Sequence, residues 1–122
     1  MDIVLYSRPQ SSYTAEDVAA LFDALDRSGM GWRVNRDFAS LAESLAGRSF
    51  APDELYDDAS QIDDRAQVMV SYGGDGTFLD CVRMLGGRPV PIIGINSGRL
   101  GFLANVSKRH LETAFRDLRK GN

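Results

Sequence analysis

The sequence has one cysteine, one histidine and no long apolar run, and each shortage removes a class of function. A single cysteine, Cys81, cannot form an intramolecular disulfide, and no set of zinc ligands can be assembled around it. No segment approaches the ~20 consecutive apolar residues of a membrane-spanning helix. The N-terminus has no basic stretch before an apolar run, so no signal peptide is visible. We therefore expect a cytoplasmic protein that does not associate with a membrane.

Strong charge of either sign is also missing. The formal net charge is −3, and 25% of the residues are charged. A slightly acidic chain gives no electrostatic reason to expect nucleic acid as a partner. A length of 122 residues with 43% hydrophobic residues is ordinary for one globular domain. Residues 1–122 are therefore predicted to form a single domain.

Glycine, by contrast, is concentrated in one part of the chain. Eight of the twelve glycines lie between Gly73 and Gly101. The first group is the run GGDGT at residues 73–77, called here the glycine loop. The second is the run GINSGRLGFL at residues 94–103, called here the second glycine cluster. Such a density of glycine marks backbone that approaches a ligand closely or adopts positive φ.

Segments typical of strands and of helices alternate along the chain. Short apolar runs predict strands at residues 2–6, 32–35, 67–72 and 90–95. Helical periodicity predicts helices at residues 12–29, 38–47, 77–85 and 107–120. The acidic residues 53–64 are interpreted as a loop. The alternation favours an α/β fold: a doubly wound, mostly parallel sheet with helices on both faces, of the Rossmann or flavodoxin-like type.

The third predicted helix, residues 77–85, opens directly from the glycine loop. We expect its apolar side to be formed by Phe78, Leu79, Val82 and Leu85. Cys81 lies on the same helix and is expected to be a core residue rather than a nucleophile. In doubly wound sheets, ligands bind outside the carboxyl ends of the strands, where both glycine groups are predicted to lie.

The glycine loop suits phosphate chemistry. Glycines lack Cβ atoms, so phosphate oxygens can meet backbone N–H groups, and a helix N-terminus favours anions. Asp75 would repel a phosphate unless it contacts a magnesium ion or accepts a proton from an attacking hydroxyl. The alternative is a tight strand-to-helix turn in which Asp75 only caps the helix. The spacing matches neither the Walker loop nor the dinucleotide-binding fingerprint.

The glycine loop resembles a motif shared by NAD kinases, 6-phosphofructokinases and the diacylglycerol and sphingosine lipid kinases. The second glycine cluster resembles the G-I-N-x-G-x-L-G-F-L segment of NAD kinases, and the order and spacing of the two motifs favour that family. The resemblance is strong from about residue 68 to residue 106. It implies transfer of the γ-phosphate of ATP to the 2′-hydroxyl on the adenosine ribose of NAD, giving NADP, with a divalent metal such as magnesium as cofactor.

The resemblance also implies roles for individual residues. Asp75 is the expected catalytic acid, in contact with the reacting hydroxyl. The expected cofactor-binding residues are Gly73, Gly74, Gly76, Thr77, Asn96, Gly98, Arg99 and Phe102. Two of these roles stay open, because Arg99 can also face solvent and Asn96 can also bond its own loop backbone. No dedicated metal ligand is expected.

Members of the NAD kinase family are much longer than this chain and carry a second, β-rich domain whose Asn-Glu or Asn-Asp motif holds NAD. The resemblance therefore implies an N-terminal domain that lacks its β-rich C-terminal partner and is inactive by itself. A homo-oligomer is also expected. Two alternatives remain: a lipid or sugar kinase fragment, which leaves residues 96–103 unexplained, and a non-catalytic flavodoxin-like binding module that keeps both loops for folding.

Overall fold

The computed structural model describes residues 2–62, 66–96, 106–107 and 113–116. The strands are β1 (Asp2–Tyr6), β2 (Gly31–Asn35), β3 (Leu55–Tyr56), β4 (Ala66–Gly73), β5 (Ile92–Asn96) and β6 (Val106–Ser107). The helices are α1 (Ala15–Arg27), α2 (Arg36–Ala46) and α3 (Asp75–Leu85), and residues 113–116 are also helical. Among the described residues, no helix has the length and apolar character needed to cross a membrane.

The six strands form one sheet in the order β3-β2-β1-β4-β5-β6, and every pairing between neighbours is parallel. Two hydrophobic clusters cover its two faces. Ile3 and Leu5 of β1 pack with α1 and α2, whereas Val4 packs with α3 on the opposite face. Successive strand residues point to opposite sides, so one strand serves both clusters. The predicted doubly wound α/β fold with helices on both faces is confirmed.

The ends of the first two helices follow from local sequence. The Thr14 side chain accepts a hydrogen bond from Asp17 N at 3.1 Å and caps the start of α1. Gly47 follows α2 with φ +66°, the left-handed conformation in which glycine commonly ends a helix. Both helices therefore lie where capping and periodicity predict them.

The interpretation of residues 53–64 as a loop was wrong at two positions. Leu55 and Tyr56 form the edge strand β3, which pairs with Val34 and Asn35 of β2. Tyr56 is 2% exposed, and its hydroxyl donates to Leu5 O at 2.8 Å. One buried aromatic therefore anchors a two-residue strand that is too short to give an alternating pattern.

The predicted apolar face of α3 was also wrong in part. Leu79 and Val82 are each 46% exposed, whereas Thr77, Cys81 and Leu85 are the buried residues of the helix. These three recur every four residues, so they form the stripe that faces the sheet. Cys81 is a core residue as predicted, and burial raises the pKa of its thiol to about 12. A thiol with so high a pKa is a poor nucleophile.

The last predicted helix, residues 107–120, is described at Ser107 and at residues 113–116. Residues 113–116 are helical, and Phe115 is buried in the cluster that contains residues of α1 and α2. Ser107 belongs to β6 and is paired with Asn96, so the chain is still in a strand at the position predicted to begin the helix. Strand β6 extends the parallel sheet beyond β5.

The order in which successive strands are added to the sheet reverses between β1 and β4. β1 and β4 are neighbours, but α1 follows β1 on one face and α3 follows β4 on the other. Because successive helices leave β1 and β4 on opposite faces, a crevice is expected at the carboxyl ends of these two strands. This is the place where doubly wound sheets bind ligands.

Candidate functional site

The glycine loop lies at the carboxyl end of β4, beside that crevice. β4 ends at Gly73, Gly74 is the N-cap residue of α3, and the helix begins at Asp75. Gly74 provides no side-chain hydrogen bond to the helix. The first N–H groups of an α-helix have no partner within the helix, so the loop offers donors to an anion at this point.

The three glycines of the loop meet different surroundings. A Cβ atom on Gly73 would lie 2.5 Å from Thr77 Oγ1 and 2.9 Å from Thr77 Cβ, whereas one on Gly74 would have no neighbour within 4 Å in the part of the chain that the structure describes. On Gly76 it would lie 3.0 Å from Arg8 Nη1. Gly73 is therefore required for packing against the buried Thr77, and Gly74 leaves open space beside the backbone.

Asn96, on the neighbouring strand β5, lies at the same edge of the sheet as the glycine loop. It is the last residue of β5, is 4% exposed and pairs with Gly73 in the register of β4 and β5. The strands that precede the two glycine groups are therefore neighbours in the sheet. Asp75, at the start of α3, is half-buried at this edge. Gly98, Arg99 and Phe102 lie outside the described residues.

A buried polar cluster, called here the Ser7 clamp, fixes the end of β1. The Asn35 side chain accepts from Ser7 N at 3.1 Å and donates to Ser7 O at 2.8 Å. The Ser7 hydroxyl donates to Tyr72 O at 2.7 Å, and the Tyr13 hydroxyl donates to the same carbonyl at 3.3 Å. Ser7 is thus held between β2 and the residue just before the glycine loop.

No role was predicted for these residues from the sequence. Their signal was present, because Ser7 directly follows β1 and Asn35 is the last residue of β2. Polar residues at successive strand ends indicate the ligand edge of a doubly wound sheet. Which strands are neighbours was needed to connect Ser7 with Tyr72.

A charged cluster, called here the Arg8 bridge, joins the segment after β1 to the first turns of α3. Arg8 donates to both carboxylate oxygens of Asp80, from Nε at 2.6 Å and from Nη2 at 2.9 Å. Its Nη2 also donates to Gly76 O at 3.4 Å. The Tyr6 hydroxyl donates to Asp80 at 2.9 Å, and Arg83 donates to the same carboxylate.

The Arg8 bridge has clear electrostatic consequences. Hydrogen bonds from Arg8 lower the pKa of the Asp80 carboxyl to about 2. Burial, and secondarily the hydrogen bond to Asp80, raise the pKa of the Tyr6 hydroxyl to about 12. Asp80 is therefore ionised and Tyr6 is neutral over the physiological pH range. The sequence did not reveal this cluster, because Arg8 and Asp80 lie far apart in the chain.

The chain matches known proteins along nearly its whole length. The family model of the ATP-NAD kinase N-terminal domain matches residues 8–122. The NAD kinase of Bacteroides fragilis is 34% identical over 118 residues, which cover 97% of this chain and 40% of that protein. The NAD kinase of Azoarcus sp. is 36% identical over 106 residues, 87% of this chain and 34% of that protein.

A solved structure gives the same picture of the fold. The crystal structure of yeast NADH kinase complexed with NADH superposes with a TM-score of 0.75 at 22% identity, covering 98% of this chain and 36% of that one. The chain spans about 40% of the length of curated relatives that it matches. From the family match and these relatives, the chain belongs to the NAD kinase family, within its N-terminal domain.

Proposed function

We propose that this chain is the nucleotide-kinase domain of a longer NAD kinase. That enzyme transfers the γ-phosphate of ATP to the 2′-hydroxyl on the adenosine ribose of NAD and forms NADP. The observation that carries the proposal is the glycine loop at the centre of the sheet, with Asn96 on the neighbouring strand, in a chain of the NAD kinase family. The fold neighbour's complex with NADH supports a nicotinamide dinucleotide as the acceptor.

The phosphates are proposed to lie against Gly74 and Gly76. Among the described residues, no neighbouring side chain or distant backbone atom lies within 4 Å of a Cβ placed on Gly74, so a phosphate oxygen has room to reach the backbone there. The N-terminus of α3 adds a favourable partial charge. Thr77 is 2% exposed and packs against Gly73, so it supports the glycine loop from the buried side. Phosphoryl transfer depends mainly on this kind of positioning and charge stabilisation.

Asp75 is the proposed catalytic residue. It lies in the first turn of α3, at the same edge of the sheet as the two glycines beside the phosphates. A carboxylate within hydrogen-bond reach of the ribose hydroxyl accepts its proton as the phosphoryl group transfers. Asn96, Gly98, Arg99 and Phe102 are proposed to complete the nucleotide pocket from the neighbouring strand and the segment after it.

Magnesium fits the donor set of the loop. Within the described part of the chain, no three histidine, cysteine or carboxylate side chains gather into a metal site. Magnesium is usually held by one or two carboxylates, by water and by substrate phosphates, so one acid suffices. Asp75 is the carboxylate that would hold the ion. Bound there, magnesium would neutralise charge on the phosphates.

The remaining contacts to NAD are proposed to come from residues outside this sequence, because the relatives are much longer. We propose the β-rich domain of the same protein as that partner. We also propose a cytoplasmic homo-oligomer, for which the exposed Leu79 and Val82 on α3 are a candidate contact.

The test compares a longer gene product that contains these 122 residues with the 122-residue chain alone. With NAD, ATP and magnesium, we expect the longer protein to form NADP and the shorter chain to form almost none. Diacylglycerol, sphingosine and fructose 6-phosphate serve as alternative acceptors in the same assay. Phosphorylation of one of these, without any NADP, would replace the proposal with a lipid or sugar kinase.

A further inference from the structure

We propose that Arg8 binds a phosphate of the donor's polyphosphate chain, so that the glycine loop is not the whole phosphate site. The inference rests on the proposed function and adds a residue from the opposite side of the crevice. The structural basis is the juxtaposition of a half-exposed guanidinium from the end of β1 with Gly76 at the start of α3.

The position of Arg8 is fixed by its neighbour in the chain. Ser7 is fully buried, and its N–H, its carbonyl and its hydroxyl all form hydrogen bonds in the Ser7 clamp. Arg8 therefore leaves the sheet from a rigid point at the carboxyl end of β1. A side chain placed by such a support loses less entropy when it binds a ligand.

The orientation of the guanidinium leaves one edge available. The Nε and Nη2 groups face Asp80 and Gly76 O, whereas Nη1 forms no hydrogen bond with any other residue that the structure describes. That nitrogen lies 3.0 Å from the Cβ position of Gly76, so it borders the glycine loop directly. The Arg8 side chain is 47% exposed, which leaves the Nη1 donors accessible. Such a fork of donors suits a phosphate.

Local charge supports the same role. Asp80 is shared by two arginines, Arg8 and Arg83, so the Arg8 bridge keeps one net positive charge near the loop. A triphosphate carries more negative charge than the pyrophosphate of a dinucleotide, and the donor is therefore the better match. An anion between Arg8 and the N-terminus of α3 would meet the guanidinium on one side and the positive end of the helix dipole on the other. Magnesium held by Asp75 would offset the charge of that carboxylate in the first turn.

Asp80 does not need Arg8 as a partner. The carboxylate also accepts hydrogen bonds from Arg83 and from the Tyr6 hydroxyl, so it stays paired when Arg8 is removed. The contact between Arg8 and Gly76 O, at 3.4 Å, is long for a hydrogen bond. The structural contacts of Arg8 use Nε and Nη2, and a ligand would use the remaining Nη1 donors.

The experiment titrates the ¹⁵N-labelled 122-residue chain with inorganic tripolyphosphate, with ATP and with NAD, and follows the amides of the glycine loop and the Arg8 Nε by NMR. We expect Arg8→Gln to weaken the binding of tripolyphosphate and of ATP by about tenfold or more, the usual cost of a lost charge-assisted hydrogen bond. The affinity of Arg8→Lys for these two ligands should lie between those of Arg8→Gln and the unchanged chain. NAD binding should not change.

Arg83→Gln is the matched control. It removes a positive charge that pairs with the same Asp80 carboxylate. Arg83, however, is 67% exposed and lies about two helical turns beyond Gly76 on α3. We expect it to change tripolyphosphate binding by less than about twofold, as for an exposed ion pair. Circular dichroism and thermal unfolding of each variant show whether the fold is retained.

The inference is overturned if Arg8→Gln binds tripolyphosphate as the unchanged chain does, or if the unchanged chain does not bind it. An equal loss in Arg83→Gln would assign the effect to general charge and also overturn it. A loss confined to NAD would overturn the assignment to the donor. If the longer protein forms no NADP while Arg8→Gln still selectively weakens tripolyphosphate, the proposed function fails and the phosphate contact stands.

Discussion

Gly73 and Gly74 are adjacent, but a Cβ atom on Gly73 would collide with Thr77, whereas one on Gly74 would contact none of the residues that the structure describes. Gly73→Ala places a Cβ atom 2.5 Å from Thr77 Oγ1, and Thr77 is buried and cannot easily move away. Overpacking of this kind costs about 1–3 kcal/mol. We expect the free energy of unfolding to fall by that amount in urea denaturation.

Gly74→Ala is the control for this substitution. Its Cβ atom has no neighbour within 4 Å among the described residues, so the change in unfolding free energy should stay below about 1 kcal/mol, the smaller cost of alanine at an N-cap. If Gly74 is where phosphates approach, the same variant should bind tripolyphosphate more weakly while remaining folded. Equal destabilisation by the two variants would contradict the separation of roles.

Asp75 is the residue on which the chemistry depends most. In the longer enzyme, Asp75→Asn retains the size of the side chain but cannot accept the ribose proton. We expect kcat to fall by about 10²–10⁴, the range for a lost general base. Steady-state NADP formation measures it, and folding is checked by thermal unfolding. A kcat close to that of the unchanged enzyme would reduce Asp75 to a helix cap.

Among the elements, β1 is joined to its neighbours by side chains as well as by strand pairing. Asn35→Ala removes the amide that serves both Ser7 N and Ser7 O in a buried site. An unsatisfied buried polar group costs about 1–3 kcal/mol, so the free energy of unfolding should fall by at least about 1 kcal/mol. Urea denaturation measures the change.

Ser11→Ala is the control for Asn35→Ala. Ser11 lies between β1 and α1, as does Ser7, the partner of Asn35, but Ser11 is exposed. Its substitution should change the unfolding free energy by less than about 0.5 kcal/mol. If both variants unfold at the same urea concentration as the unchanged chain, the Ser7 clamp does not stabilise the sheet.

The contact between β1 and α3 should weaken in acid. The pKa of Asp80 is lowered to about 2, so its ion pair stabilises the fold above about pH 4, and the stabilisation is lost as the pH falls toward 2. Asp80→Asn should therefore be less stable than the unchanged chain at neutral pH, and the difference should shrink in that acidic window. We expect about 1 kcal/mol at most, because Arg8 is half-exposed and water screens the pair.

Asp57→Asn is the matched control for the Arg8 bridge. Its pair with Arg36 has the same 2.6 Å length, but both side chains are more than half exposed. We expect a smaller loss of stability at neutral pH than for Asp80→Asn. Urea denaturation from pH 7 down to pH 2 compares the two, and a constant difference for Asp80→Asn across that range would contradict the assignment.

For the molecule as a whole, the exposed apolar residues of α3 predict self-association. Leu79 and Val82 are each 46% exposed and lie close together on one helix. Apolar patches of this kind tend to find partners. We expect the mass measured by light scattering to rise with protein concentration, and Leu79→Glu to reduce the rise. A monomer at all concentrations, or no effect of Leu79→Glu, would contradict this contact.

The sequence predicts the fold class because the strands and helices alternate regularly and each has a clear end. Helix α1 begins at the predicted Thr14 cap, and α2 ends at the predicted Gly47. The edge strand β3 was missed because it has two residues, of which only Tyr56 is buried, and this gives no alternating pattern. The face of α3 was misjudged because Thr77 and Cys81 are smaller and more polar than the leucine and valine that remain exposed.

The candidate site was predictable only where it is local in sequence. The glycine loop and Asp75 lie in one run of residues, and their position at a strand end follows from the alternation of elements. The Ser7 clamp and the Arg8 bridge join residues from the beginning of the chain to residues after Tyr72. Such contacts depend on β1 and β4 being neighbours, which no local pattern indicates.

The central position of β1 also determines when the protein can finish folding. Leu5 pairs with Val34 on one side but with Val70 on the other, so half of its pairing must wait until β4 has been synthesised. Contacts between residues so distant in sequence slow folding. Until β4 arrives, a nascent chain exposes one edge of β1, which other strands can pair with, and aggregation competes with folding. Pairing of β1 with β4 ends that exposure and assembles the crevice in the same step.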